Sequence, residues 1–291
     1  MDLTASAIKT YRYLRIAMIL VVVALAVAMA IERRDAHRLI GRSCFQSSIS
    51  AYYYTPVQAI FVAGMIVIGM CLVAIKGHNR LEDVALNLAG MLAPVVALVP
   101  TSDHGACASV PFVERDVAPN IHNNFIALVV TGVVAVIVAA VIAAVVSGQR
   151  GGVGNVWPKF ETPDYIGLFI AMALVLGGAA WYAGWLPNRL PSFKTHAHSY
   201  SAIAMFFFLG VAAAANVWTG ESAAPAKHYR AIYLAVVVGM SVSAVVVVVA
   251  AHTSDWKHAV FALEASEIVL FVTFWLAQTA ELWQQGLRRE A

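Results

Sequence analysis

The sequence predicts an all-α integral membrane protein: one domain, residues 1–291, folded as a bundle of eight transmembrane helices. Of its 291 residues, 61% are hydrophobic and 12% are charged, whereas soluble domains average about 45–50% and about 25%. The mean hydropathy is +0.76. Eight apolar runs are close to the roughly 20 helical residues that cross a bilayer. These features exclude a soluble globular protein and a disordered chain.

The charge and the cysteine content exclude further classes of protein. The formal net charge of +3 is spread along the chain without a basic tract, so we expect no nucleic-acid partner. Three cysteines are too few for a disulfide scaffold or a four-cysteine zinc site. The lipid bilayer is therefore the partner that the composition predicts.

Each predicted span is an apolar run bounded by polar residues. Because the bilayer core holds no water, such a run satisfies its backbone hydrogen bonds by forming a helix, even where valine is frequent. The fourth and seventh runs are uncharged and rich in Val and Ala, whereas the third is short and contains Pro94, where we expect a kink. The predicted spans are residues 13–31, 57–75, 84–99, 124–147, 165–186, 199–218, 231–251 and 259–283.

The first span has a second interpretation. Lys9, Arg12 and Arg15 precede its apolar run, and Ala28-Met29-Ala30 resembles a signal-peptide cleavage site. Cleavage would leave seven spans. We expect the span to be retained, because its apolar run is long for the core of a signal peptide.

The loops alternate between two sides of the membrane. Side A holds both termini and eleven Lys and Arg residues; side B holds eight, together with the longest loops, at about 32–52 and 100–122. By the positive-inside rule, this bias predicts a multi-pass protein of the cell membrane with both termini in the cytoplasm.

The last span carries the sharpest functional signal. Glu264 and Glu267 lie in an otherwise apolar run, and with Phe271, Trp275 and Gln278 they share one helical face. A carboxylate within the bilayer is costly unless it is paired, neutralised or hydrated. We therefore expect this face to point into the bundle, with Glu267 as a functional group. A structural hydrogen bond to a neighbouring helix is the alternative.

Side B gathers most of the other polar chemistry, including seven of the nine histidines. From their depth in the predicted spans, we expect these residues to form a polar pocket open to side B. Anchoring of histidine and tyrosine rings at the membrane interface is the alternative. The predicted binding residues are Ser50, Tyr54, Asp103, His198, Ser201, Glu264 and Glu267.

Such a set suits more than one chemistry. Imidazoles can hold a zinc ion that activates water at an open position, and His104, His122 and His198 are the candidate ligands. The sequence contains no H-E-x-x-H motif. A Glu–His pair can instead relay protons or sense pH. Cys44 and Cys107 lie on the two longest side-B loops. If side B is outside the cell, they are candidates for a disulfide between these loops, and free thiols or soft metal ligands are the alternatives.

The run Ser48–Thr55, S-I-S-A-Y-Y-Y-T, resembles the signature of a group of bacterial multi-pass membrane proteins without an assigned activity. Later fragments are similar to the same group, among them Asn87–Gly90, His198–Ala202 and Leu263-Glu264. The same fragments are distantly similar to the CREST membrane hydrolases. That seven-helix superfamily includes alkaline ceramidases and uses Ser, Asp and three His around a zinc ion.

The CREST resemblance implies roles for Ser50, Asp103 and His198 around zinc. The last helix carries Glu264 and Glu267 where that superfamily has a His-x-x-x-His pair.

Three functions follow from these features. The leading one is binding or transport of a small solute, an ion or a lipid head group in the side-B pocket, with Glu267 titrating. The second is a zinc-dependent hydrolase of lipid amide or ester bonds, in which a glutamate is the general base. The third is a membrane scaffold or subunit whose small residues serve helix packing, for instance at Ala173-x-x-x-Gly177.

Overall fold

A computed structural model confirms the all-α bundle. Within the part of the chain that it describes, regular structure consists of eight α-helices and one short 3-10 helix. The described residues are 3–40, 45–102, 117–148, 161–186, 191–218, 225–254 and 256–284.

Each predicted span falls on one α-helix, most of which extend beyond the predicted bounds, and a 3-10 helix at Ser50–Tyr54 lies between the first two. Seven of the α-helices are long and apolar enough to cross a membrane. The second, with 17 residues, is at the lower limit for a crossing. The helices are α1 (Leu3–Ile40), α2 (Gln58–Ala74), α3 (Arg80–Leu98), α4 (Val117–Gly148), α5 (Thr162–Tyr182), α6 (Phe193–Val217), α7 (Lys227–Thr253) and α8 (Ala259–Glu281).

Helix α3 forms the centre of the bundle, where it packs against α2, α4, α5 and α6. It begins at Arg80 rather than at residue 84, because the Asn79 side chain caps it by accepting a hydrogen bond from the Glu82 amide at 2.8 Å. Of the 18 residues in its most apolar stretch, 61% are buried, against 39% or less for the corresponding stretches of the other long helices. The helix continues through Pro94, and the kink there stays a prediction.

Two arginine–aromatic contacts mark the two ends of the bundle. At side A, the Arg12 guanidinium lies 4.5 Å from the Trp283 ring centroid. At side B, the Arg33 guanidinium lies 4.2 Å from the ring of Phe45, which contacts Phe261. The helical rise from Arg12 to Arg33 is about 31 Å, close to the ~30 Å thickness of a hydrocarbon core. The start of α1 and the end of α8 thus lie on one side, and its cytoplasmic location stays a prediction.

The outward faces of the helices between these levels are apolar. Val130 and Val141 of α4 expose 58% and 56% of their surface, and Val245 of α7 exposes 63%. In water, an apolar surface of this extent would drive association. Lipid chains accept it, which agrees with a multi-pass membrane protein.

Helices α2 and α3 approach closely at two glycines. A Cβ atom added to Gly69 would lie 2.8 Å from the Gly90 carbonyl oxygen, and one added to Gly90 would lie 2.7 Å from the Gly69 carbonyl oxygen. Small residues allow such approach between membrane helices. At Gly177, an added Cβ would meet no described atom within 4 Å. The close contact predicted at Ala173-x-x-x-Gly177 is therefore not made within the described bundle.

We expect Gly90→Val to lower the melting temperature of the purified protein and Gly177→Val to leave it nearly unchanged. The added side chain at Gly90 meets the backbone of α2, and overpacking of this kind costs about 1–3 kcal/mol. Both variants place the same β-branched residue in a helix, so the comparison isolates packing. Equal melting temperatures for the two variants would contradict the close α2–α3 contact.

Candidate functional site

The structure brings Glu264 and Ser50 together at side B. The Glu264 carboxylate accepts hydrogen bonds from the Ser50 hydroxyl, at 2.6 Å, and from the backbone amides of Ile49 and Ser50. These amides begin the 3-10 helix, where no carbonyl of the same helix can accept from them. Glu264 therefore caps this short helix from α8.

The α1–α2 connector, defined as residues 45–57, is also tied to two other parts of the bundle. The Tyr54 hydroxyl donates to the Thr101 carbonyl oxygen at 2.6 Å, just after α3. His258 Nδ1 lies 3.1 Å from the Gln46 carbonyl oxygen, just before α8. The S-I-S-A-Y-Y-Y-T run thus forms a fixed structural element at the side-B end of the bundle.

The tyrosines of the connector face protein rather than the membrane interface. Tyr52 and Tyr53 expose 1% and 7% of their surface, and Tyr53 packs with Phe61 and Val96. Burial raises the pKa of both phenols, which therefore remain uncharged at neutral pH. Their burial favours a role in packing over the interface-anchor alternative.

His198 links α6 to the end of α3. Its Nδ1 lies 2.8 Å from the Val99 carbonyl oxygen, so Nδ1 is the donor of the neutral ring and Nε2 is the acceptor. The side chain is buried, and Nε2 has no hydrogen-bond partner among the described residues. Ser201, one turn along α6, is half-buried.

Glu267 is buried within the hydrocarbon depth of the bundle, on the side-B half of α8. It is 5% exposed and accepts a hydrogen bond from the Ser243 hydroxyl of α7 at 2.7 Å. It lies about 9 Å along α8 from Phe261, which marks the side-B level. Phe271, Trp275 and Gln278 are buried with it, and Glu264 is half-buried. The inward orientation predicted for this face of α8 is therefore confirmed.

A second polar cluster, at side A, is absent from the sequence-based predictions. Glu82 is 1% exposed, and its carboxylate accepts hydrogen bonds from Asn216 at 2.9 Å and from Gln278 at 2.8 Å. It also accepts from the His78 amide at 2.8 Å and contacts His78 Nδ1. The buried guanidinium of Arg15, on α1, lies within electrostatic range of the same carboxylate.

Asn79 defines the hydrogen-bonding role of each His78 nitrogen. The Asn79 side-chain oxygen accepts from the Glu82 amide, so its nitrogen is the atom that faces His78 Nε2 at 2.9 Å. His78 Nε2 is consequently an acceptor, and Nδ1 carries the proton donated to Glu82. Arg15 adds a cation within electrostatic range of the Glu82 carboxylate.

The side-A cluster was missed because the sequence places the third span at 84–99, which leaves Glu82 in a loop. Asn79 and Glu82 have the N-cap and N3 spacing of a capping box. That spacing was the signal for an earlier helix start. It would have placed Glu82 within the first turn of α3.

An apolar cavity of about 50 Å³ lies between α1, α2, α6 and α8. Among the described residues, those that line it are all apolar. The groups predicted to form a polar pocket engage separate partners instead: Glu264 meets Ser50, Glu267 meets Ser243, and His198 meets a backbone carbonyl.

The metal and disulfide predictions fall partly outside the described residues. Asp103, His104, Cys44 and Cys107 lie there. His122 is exposed, and its Nδ1 lies 2.6 Å from the hydroxyl of Tyr182. No group of three or more His, Cys, Asp or Glu placed to hold a metal occurs in the described ranges. The zinc site and the disulfide both stay predictions.

Comparisons of the chain with protein-family models, curated proteins and solved structures gave no match. The resemblances seen in the S-I-S-A-Y-Y-Y-T run and the later fragments also stay predictions.

We expect Glu264→Ala to accelerate hydrogen exchange of the Ile49 and Ser50 amides by about tenfold or more, because a hydrogen bond to a charged acceptor contributes about 1.5–3 kcal/mol. Exchange mass spectrometry of the connector measures this. Ser266→Ala, on the same helix, is the control and should leave exchange unchanged. Equal protection in both variants would show that Glu264 does not hold the connector.

We expect Glu82→Leu to lower the free energy of unfolding by about 3–5 kcal/mol, because it removes the acceptor shared by buried donors and the anion that faces Arg15. Equilibrium unfolding in mixed micelles is the measurement. The double variant Arg15→Met with Glu82→Leu should recover part of the loss. Asp35→Asn, at a solvent-exposed ion pair, serves as the control. A loss for Glu82→Leu no larger than the control's would refute the assignment.

Proposed function

We propose that this protein binds or transports a small solute or an ion through the interior of the bundle, with Glu267 as the group that takes up and releases a proton. The observation that carries the proposal is the position of Glu267: it is 5% exposed, about two turns inside the side-B end of α8, and hydrogen-bonded to the hydroxyl of Ser243. Ionisable side chains at such depth commonly mark substrate or ion pathways.

The chemistry of this position favours proton exchange. A carboxylate with a hydroxyl partner in a low-dielectric interior is costly, whereas the protonated acid is much less so. A cation, or a basic group on a solute, can replace the bound proton without changing the net charge within the bilayer. Such an exchange couples movement of the solute to movement of a proton.

Glu82 provides the contrast. Its carboxylate receives hydrogen bonds from His78, Asn216 and Gln278, and it lies in the field of Arg15. Its charge is therefore compensated without a proton. We assign Glu82 to the stability of the bundle and Glu267 to its function.

Entry from side B is part of the proposal. Glu264 lies one turn from Glu267 and holds the connector that closes this end of the bundle. With both termini in the cytoplasm of a bacterial cell, as the Lys and Arg bias predicts, side B faces outward.

Aqueous access to residue 267 tests the proposal whatever the identity of the solute. Cys44, Cys71 and Cys107 are replaced by Ala, and Glu267→Cys is made in that background. Its reaction with a charged methanethiosulfonate reagent is followed in proteoliposomes. We expect it to react at least about tenfold faster than Val269→Cys, because thiolates form in water and not in lipid. Val269 lies at similar depth and is 63% exposed toward lipid.

Ser243→Cys, across the α7–α8 contact, should react as well. If residues 243 and 267 react no faster than residue 269, water does not reach the carboxyl group. Glu267 would then be a structural hydrogen-bonding residue, and the proposed function would be rejected.

A further inference from the structure

The apolar cavity lies at the level of the bilayer midplane. Val21 and Leu25 of α1 line it, and they fall on either side of the midpoint between Arg12 and Arg33, which mark the two membrane levels. Met205 of α6 and Phe271 of α8 line it from the opposite side. At the level of the cavity, the bundle is therefore surrounded by lipid hydrocarbon rather than by water.

The cavity reaches the lipid-facing surface at Ile60. This residue lines the cavity and also exposes 41% of its surface. Ile60 lies in the first turn of α2, near side B, and Ile68, which also lines the cavity, lies about 12 Å further along the helix. The lining thus runs from the side-B leaflet toward the bilayer centre.

The chemistry of the lining selects the occupant. Apolar cavities of this kind stay dry, because a bound water needs two or more polar partners. Hydrocarbon is the phase that surrounds the bundle at this depth. A volume of about 50 Å³ has room for the end of one chain.

The side-B end of α1 complements an anionic head group. Arg33, Arg34 and Arg38 are exposed there, and basic residues at the membrane surface attract anionic lipids. Arg33 also contacts Phe45, and Arg38 pairs with Asp35 at 3.5 Å. The rise from Leu25 to Arg34 is about 13 Å, comparable with half of the ~30 Å hydrocarbon core. A lipid with its phosphate beside these arginines therefore has a chain long enough to reach the cavity.

We propose that the cavity holds the end of one acyl chain of an anionic phospholipid from the side-B leaflet, with the phosphate beside Arg33 and Arg34. This lipid site is independent of the proton-linked function assigned to Glu267. It would join α1, α2, α6 and α8 through a bound lipid where these helices leave a gap.

The test uses the full-length protein in vesicles of phosphatidylcholine and phosphatidylglycerol. They contain a trace of phosphatidylglycerol with a photoreactive diazirine near the end of one acyl chain. After illumination, mass spectrometry locates the adducts. We expect an adduct on Met205, which lines the cavity and is 5% exposed. Met172 of α5, 40% exposed, reports labelling of the outer surface.

Cavity-filling variants provide the comparison. Ile68→Trp should reduce the Met205 adduct at least fivefold, and Met70→Trp, on the lipid-facing side of the same helix (67% exposed), should leave it unchanged. Val22→Phe fills the cavity from α1 and is a second, independent test if Ile68→Trp fails to fold. A Met205 adduct that is absent in the wild type, or unchanged in both filling variants, would overturn the acyl-chain site.

The head group is tested by the matched phosphatidylcholine probe. We expect it to label Met205 at least threefold less than the phosphatidylglycerol probe, and we expect Arg34→Gln to remove that difference. Equal labelling by the two probes in the wild type would overturn the assignment of an anionic lipid.

Discussion

The buried carboxylate of Glu82 is the interaction on which the arrangement of the bundle depends. It joins the start of α3 to Asn216 near the end of α6 and to Gln278 near the end of α8, and it lies within electrostatic range of Arg15 of α1. A charge in a dry interior is tolerated only when donors and a counter-charge surround it, and loss of one partner is strongly destabilising. The side-A ends of four helices are therefore fixed relative to one another by one acidic group.

Buried polar groups have different kinds of partner at the two ends of the bundle. At side A, a carboxylate is matched with a guanidinium and amide donors. At side B, Glu264 receives backbone amides and a hydroxyl, and His198 donates to a backbone carbonyl. Glu267, between them, has the hydroxyl of Ser243. Compensation of charge thus decreases from Glu82 toward Glu267, and the least compensated acid is the one whose charged form costs most free energy.

The sequence predicted the elements of this structure better than their contacts. Hydropathy places every span, because lipid enforces helices wherever the chain is apolar for long enough. The spacing of Glu267 and Trp275 along α8 predicts which face is buried. The depth of a residue along its span does not determine which helices are neighbours. The predicted convergence of His198 with Glu264 used only their similar depth in the membrane. The burial of Glu82 was not predicted, because the apolar run begins at Val84, whereas the helix begins earlier, at the Asn79 cap.

Helix α8 takes part in the connector contact, the Glu267–Ser243 contact and the cavity. Glu264 contacts the connector, Glu267 contacts α7, and Ile268 and Phe271 line the cavity. These residues lie within about two turns of one α-helix, whose rise and rotation per residue are fixed. The helix therefore fixes the connector contact, the Glu267–Ser243 contact and two cavity-lining side chains at defined positions relative to one another. Gln278, near the other end of the same helix, binds Glu82, so α8 links the compensated charge at side A to the less compensated acid nearer side B.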